Sequence, residues 1–130
     1  MIDWRRVDPS LLQPAFRIDV EKLLRYSPHS WTITYGYRSL DEQAALWETY
    51  KAGGPRAAPP GKSAHNFGLA VDVALDGDDA LPGLQPDWNT SHAGWQWLFQ
   101  AVGDHPRLHS GRSFNDACHI ERLNWGRYRR

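Results

Sequence analysis

Two short stretches of this chain carry residue types that metal chemistry uses. The first, Ser63 to Asp72, reads Ser-Ala-His-Asn-Phe-Gly-Leu-Ala-Val-Asp and sets His65 seven positions before Asp72. The second, Asn115 to Glu121, reads Asn-Asp-Ala-Cys-His-Ile-Glu and supplies a second imidazole, His119, with Asp116 three residues before it. Imidazole nitrogen and carboxylate oxygen are both good zinc donors, but a zinc site needs at least three protein ligands, more than either stretch holds alone. A histidine and an aspartate at the first spacing are common without any metal, and a lone strand aspartate is more often a surface residue. The second stretch changes that balance. Three ligands leave a fourth position for water, zinc lowers the pKa of that water to about 7, and a nearby carboxylate takes the proton, which is what hydrolysis requires.

These residues need elements to hold them. Leu69 to Leu75 alternates as a strand does: Leu69, Val71, Val73 and Leu75 share a core face, while Ala70, Asp72 and Ala74 leave open space on both sides of one carboxylate. Trp31 to Tyr37 is a second strand by propensity. Its alternation puts Trp31, Ile33, Tyr35 and Tyr37 on the core face and Thr32, Thr34, Gly36 and Arg38 on the other. A third strand over 117–121 would point Cys118 away from His119, as a small buried hydrophobe. Asp116 has the opposite parity to His119, so it belongs in the entering turn or at a bulge.

Three helices are expected around the strands. One runs from Pro14 to Tyr26 with Phe16, Val20, Leu23 and Leu24 inward. Another starts at Ser39 with a capping box to Glu42, turns Leu40, Ala44 and Trp47 inward, leaves Gln43 off that stripe to face solvent or else the cleft, and closes at Gly53. The last carries Trp95, Leu98, Phe99 and Val102, with Asn89 or Ser91 as cap and Gly103 as terminator. The Pro- and Gly-rich segment 53–61 is a loop leading into the first metal stretch. Asp76-Gly77-Asp78-Asp79 lacks the ligand spacing of a calcium loop and reads as a solvated turn. His92, His105 and His109 belong on the surface or in loops, and the arginine-rich tail from Arg122 is a solvated terminus. Strands and helices do not alternate, so the fold class is α+β, a small, mainly antiparallel sheet with flanking helices.

With these residues placed, the chain resembles the zinc-dependent D-alanyl-D-alanine metallopeptidases and their relatives, the phage L-alanyl-D-glutamate endolysins. Ser63, His65, Gly68, Ala70 and Asp72 match the pattern Ser-x-His-x-x-Gly-x-Ala-x-Asp at every specified position, and Asp116 with His119 match the later acid-x-x-His. The resemblance implies that His65, Asp72 and His119 bind Zn2+ and that Asp116 is the general base. It implies also that Arg38, in a Gly-Tyr-Arg-Ser context, contacts a substrate carboxylate or the oxyanion, that Ser63 orients a ligand or the substrate, and that the fold is Hedgehog/DD-peptidase-like. Many members have Glu where Asp116 stands and an aromatic residue or proline where Cys118 stands; the Asp form looks more like the phage endopeptidases. The expected substrate is the peptidoglycan stem peptide, cut at L-Ala-D-Glu. The alternatives are a D,D-carboxypeptidase removing terminal D-Ala and a non-catalytic zinc module that binds cell wall through the seven tryptophans. Asp116 argues against the latter, since a structural zinc has no use for a base.

Size and composition fit. The 130 residues read as a single domain, 1–130, without room for a separate wall-binding module. Fifteen basic and fifteen acidic residues cancel, so no global field points to nucleic acid. One cysteine excludes an internal disulfide, and no stretch reaches membrane-spanning length. The charged start, Met-Ile-Asp-Trp-Arg-Arg, lacks the apolar core of a signal peptide. The expectation is a monomeric, bacteriophage-type bacteriolytic enzyme made in the host cytoplasm and acting on the wall from the periplasm.

Overall fold

The computed structural model describes residues 2–5, 7–77 and 86–128, with Tyr128 described by its backbone alone. Asp78 and Asp79 of the expected solvated turn, and the last two arginines of the tail, lie outside the described residues.

Helix α1, Pro14–Arg25, begins with Pro14 at its first position, where the missing N–H costs nothing, and the Gln13 side chain accepts from the Phe16 N–H at 2.7 Å. It buries Phe16, Val20, Leu23 and Leu24, the stripe its periodicity predicts. Helix α2 spans Leu40–Lys51 behind a complete capping box between Ser39 and Glu42. Helix α3, Ala93–Asp104, buries Trp95, Leu98, Phe99 and Val102. Neither expected cap holds α3: His92 occupies the cap position without a side-chain bond, because Asn89 accepts instead from the Ser91 N–H and Oγ–H in the turn before it. Gly103 lies inside the helix and does not end it.

The strands are β1 (Ile2–Asp3), β2 (Trp31–Tyr35), β3 (Ala70–Asp76), β4 (Pro86–Asp87), β5 (Leu108–Ser110) and β6 (His119–Arg122). They form one sheet in the order β1-β2-β3-β6-β5, with β4 also on β3. Only β1 against β2 is parallel; the other pairings are antiparallel, which makes the α+β fold the sequence predicts. The central strands bury Trp31, Ile33, Val71, Val73 and Ile120 in one cluster with α1 and α3, and Trp31 meets Trp95 edge to face at 5.2 Å. Each such side chain stabilises the fold by about 1.5–3 kcal/mol.

Three further expectations fail, each for a local reason. Tyr35 and Tyr37 are 59% and 43% exposed instead of buried. A β-bulge interrupts the pairing: Ile33 faces Val73, but Tyr35 faces Asp72, so the alternation flips after Ile33 and Tyr35 shares a face with the carboxylate. On α2 the stripe is inverted. Leu40 is exposed, Ala44 and Trp47 are half-buried, and Gln43 is the buried residue, because this helix packs only sparsely on the rest of the fold. The tail, lastly, is structured well past Arg122. Trp125 opens a 3-10 turn, Trp125–Tyr128, and stacks on Phe67 at 5.9 Å, which ties the C-terminal segment to the first metal stretch.

Candidate metal centre

The first metal stretch folds as a 3-10 turn, Ala64–Phe67, running into β3. Ser63 caps it by accepting from the His65 N–H at 3.3 Å. Gly68 ends it with a left-handed φ of 67°, and its added Cβ would stand 2.8 Å from the Leu11 carbonyl oxygen, so only glycine fits. The turn brings His65 back over the strand toward Asp72. From the other side, β6 pairs with β3 so that His119 lies directly across from Asp72.

The three side chains converge. His65 Nε2 is 3.3 Å and His119 Nδ1 3.1 Å from the same oxygen, Asp72 Oδ1, and one donor atom from each residue lies within 4.8 Å of the others. Donors on a tetrahedron with metal bonds of about 2.0–2.1 Å stand about 3.3 Å apart, so the two distances to Asp72 match a zinc site. The far nitrogens are spoken for: His65 Nδ1–H donates to the Gly36 carbonyl at 2.7 Å, and His119 Nε2–H donates to Glu121 at 2.7 Å. With a metal bound in place of the inward proton, each imidazole would thereby be held in the tautomer that turns its lone pair inward, the usual second layer of a zinc site. Both histidines are nearly inaccessible, and among the described residues no other His, Cys, Asp and Glu group gathers in this way.

The local field favours a cation. Burial works to raise the pKa of Asp72, yet the hydrogen bonds from His119 and His65 outweigh it and hold the carboxyl well below its usual range. For His119, burial works downward, but Asp72 and Glu121 lift it to about 9. Carboxylates that hold a proton on an imidazole this firmly will equally attract a metal ion in its place.

Asp116 sits in the entering turn, after Asn115 with a left-handed φ of 63°. Its carboxylate is half exposed, with Oδ2 3.9 Å from His119 Nδ1, beside the cluster without belonging to it. The turn requires Gly111, whose added Cβ would fall 2.2 Å from the Asp116 carbonyl oxygen. Cys118 packs partly against the core, and burial, then the charges of Asp72 and Asp116, push its thiol up to about 12. A thiol held protonated is a poor ligand.

Arg38 follows the bulge. Its N–H donates to the His65 carbonyl at 3.0 Å, its Nη1 donates to Gln43 Oε1 at 3.0 Å, and its guanidinium lies 5.7 Å from the Tyr35 ring centre. Sequence reasoning missed three participants, Gly36, Asn66 and Glu121, and favoured solvent over the cleft for a fourth, Gln43. Glu121 was detectable, since i and i+2 on a strand share a face. Asn66 donates to the Arg38 carbonyl at 2.9 Å and accepts from the Gly61 N–H at 3.1 Å, joining the loop 53–61 to the site. His92, His105 and His109 stay outside the cluster, on the surface or half-buried.

Comparison with known proteins adds the following. A family model described as VanY, D-alanyl-D-alanine carboxypeptidase, matches residues 22–105, which include Arg38, Ser63, His65 and Asp72 but end before Asp116 and His119. No curated protein matches. The Serratia marcescens L-Ala D-Glu endopeptidase ChiX is similar in structure at a TM-score of 0.67 and 19% identity, over 100% of this chain and 95% of that one. The vancomycin-resistance D,D-dipeptidase VanXYg, solved with a D-Ala-D-Ala phosphinate analogue, reaches 0.63 at 20% identity over 86% of this chain and 50% of its own. The D,D-pentapeptidase VanY of a VanB-type cassette, an E175A variant with Zn(II), reaches 0.53 at 19% identity, over 87% and 71%. At these identities the likeness establishes the shared fold.

Proposed function

Because this chain belongs to the VanY family, zinc peptidases that act on peptidoglycan peptides, we propose that it is an endopeptidase cutting the L-Ala-D-Glu bond of the stem peptide, with His65, Asp72 and His119 as its metal ligands. The observation that carries the reading is the convergence of those three donors with a half-exposed carboxylate, Asp116, at their edge. A bound zinc ion would supply Lewis-acid chemistry there, polarising the scissile carbonyl and acidifying water.

The chain's own residues do the rest. Asp116 takes a proton from the attacking water and delivers it to the amine as the carbon–nitrogen bond breaks, so that one water is consumed per bond cut. Arg38 presents a permanent planar cation to the oxyanion or to a substrate carboxylate. Ser63 fixes the turn that carries His65, while Gly36 and Glu121 orient the two imidazoles. Tyr35, turned onto the Asp72 face by the bulge, offers an apolar wall to the peptide.

Support for endopeptidase cleavage comes from Asp, not Glu, at position 116 and from a match to ChiX that spans both chains nearly whole. The D,D-carboxypeptidase reading is favoured by the family model and by the two D,D-peptidases among the similar structures. Mass spectrometry of purified muropeptides after incubation separates them. Release of the stem peptide from L-Ala supports the endopeptidase; free D-alanine as the sole new product overturns it. We place the enzyme's action at the wall, as a monomer in the manner of an endolysin. Among the described residues no helix is long and apolar enough to cross a membrane.

A further inference from the structure

Gln43 is 1% exposed on a helix whose large apolar residues Leu40, Leu46 and Tyr50 face solvent. A primary amide is costly to bury unless its donor and acceptor are used. Here both are: Oε1 accepts from Arg38 Nη1 at 3.0 Å, and Nε2 donates to the Ala58 carbonyl in the loop 53–61 at 2.7 Å. We propose that Gln43 is the positioning residue for Arg38, holding the guanidinium beside the metal face through a neutral acceptor that leaves its charge unspent. This rests on the role given to Arg38 above.

The surroundings explain why an amide is needed. The Arg38 main chain is fixed at both polar groups, its N–H on the His65 carbonyl and its own carbonyl on Asn66. Its side chain has less. Among the described residues no carboxylate lies within ion-pair distance of it, and besides Gln43 its side chain meets the face of Tyr35, itself 59% exposed. A carboxylate at position 43 would grip the guanidinium harder but would cancel the charge that an anionic substrate group or oxyanion must meet. An aliphatic residue would leave a long, rotamer-rich side chain free. Glutamine holds without neutralising, and its second bond fixes the amide itself to the loop.

The test is a double-mutant cycle on muropeptide substrate, using wild type, Gln43→Met, Arg38→Ala and the double variant, with zinc content and melting temperature measured for each. Gln43→Met should keep zinc and lose kcat/KM by up to about 10²-fold, the scale of a misplaced catalytic group. In the Arg38→Ala background the same change should cost nothing further. An equal loss in both backgrounds, or none in either, overturns the proposal. Should Gln43→Met fail to fold, Gln43→Glu keeps the shape and the acceptor. It should fold, retain zinc and lose kcat/KM in the wild-type background alone; wild-type activity overturns the proposal. If Arg38→Ala is itself fully active, the role of Arg38 in the proposed function falls. The Arg38 Nε–H signal in nitrogen-15 spectra then decides the positioning claim: broadening in Gln43→Met upholds it, and an unchanged signal overturns it.

Discussion

The two flanks of the candidate site are held in opposite ways. On the metal flank, Asp72 and His119 sit on adjacent strands in the middle of the sheet, His65 is clamped by a capped turn, and both imidazoles have a second partner. On the other flank Arg38 follows a bulge at the end of β2, beside a helix that exposes most of its apolar residues. The first flank is fixed by the core itself, the second by a few polar bonds. A metal needs donors fixed to within fractions of an ångström, whereas a substrate contact tolerates adjustment and benefits from it.

The contrast can be broken at the metal flank first. Replacing His65, Asp72 or His119 by alanine removes one of three donors, so zinc should be lost on dialysis and peptidase activity with it. Full zinc content in any two of these variants, by metal analysis, would refute the ligand set. Next in size is Asp116→Asn, which should keep both zinc and fold and lose about 10²–10⁴-fold in kcat. Digestion at the wild-type rate would remove Asp116 as the base. A milder change, Glu121→Gln, weakens the acceptor behind His119 and should lower zinc affinity by about 10–100-fold, measured by chelator competition. Unaltered affinity would mean that the strand alone fixes His119.

The smallest effect lies far from both flanks, in the ion pair that ties α1 to the segment before β5. Arg107 grips Asp19 at 2.8 and 2.9 Å, and this bond holds the Asp19 pKa below its usual value. A carboxyl with a lowered folded-state pKa adds stability above its unfolded value of about 3.9, and that stability is lost as pH falls through the folded value. Arg107 is half exposed, so solvent screens the pair. Asp19→Asn should cost about 1 kcal/mol at neutral pH, and the gap to wild type in urea melts should close below about pH 4. A gap that persists in acid would assign the effect to packing.

Much of the metal flank was legible because strands alternate and glycines mark turns. His65, Gly68, Asp72 and His119 announce themselves by type and spacing, and the parity of Asp116 already required a turn before β6. What escaped did so for physical reasons. The Gly36 and Ala58 carbonyls are main-chain acceptors and leave no trace in residue type. The bulge between Ile33 and Tyr35 contains neither glycine nor proline, so alternation carried Tyr35 to the wrong face. Solvent was favoured over the cleft for Gln43 because an amphipathic helix is assumed to pack its apolar stripe, and α2 packs an amide instead. Trp125 was lost in a run of arginines that suggested a frayed end.

The order of the strands has a consequence for how the protein matures. Among the described strands β6 comes last in the chain, yet it is inserted between β3 and β5 and alone carries His119. Two donors are present as soon as the turn and β3 have formed, but the third arrives only when this final strand closes the middle of the sheet. On the proposed ligand set, tight metal capture therefore requires β6 to be paired with β3. A zinc ion held by His65, Asp72 and His119 would in turn tie β6 to β3 and to the turn before it.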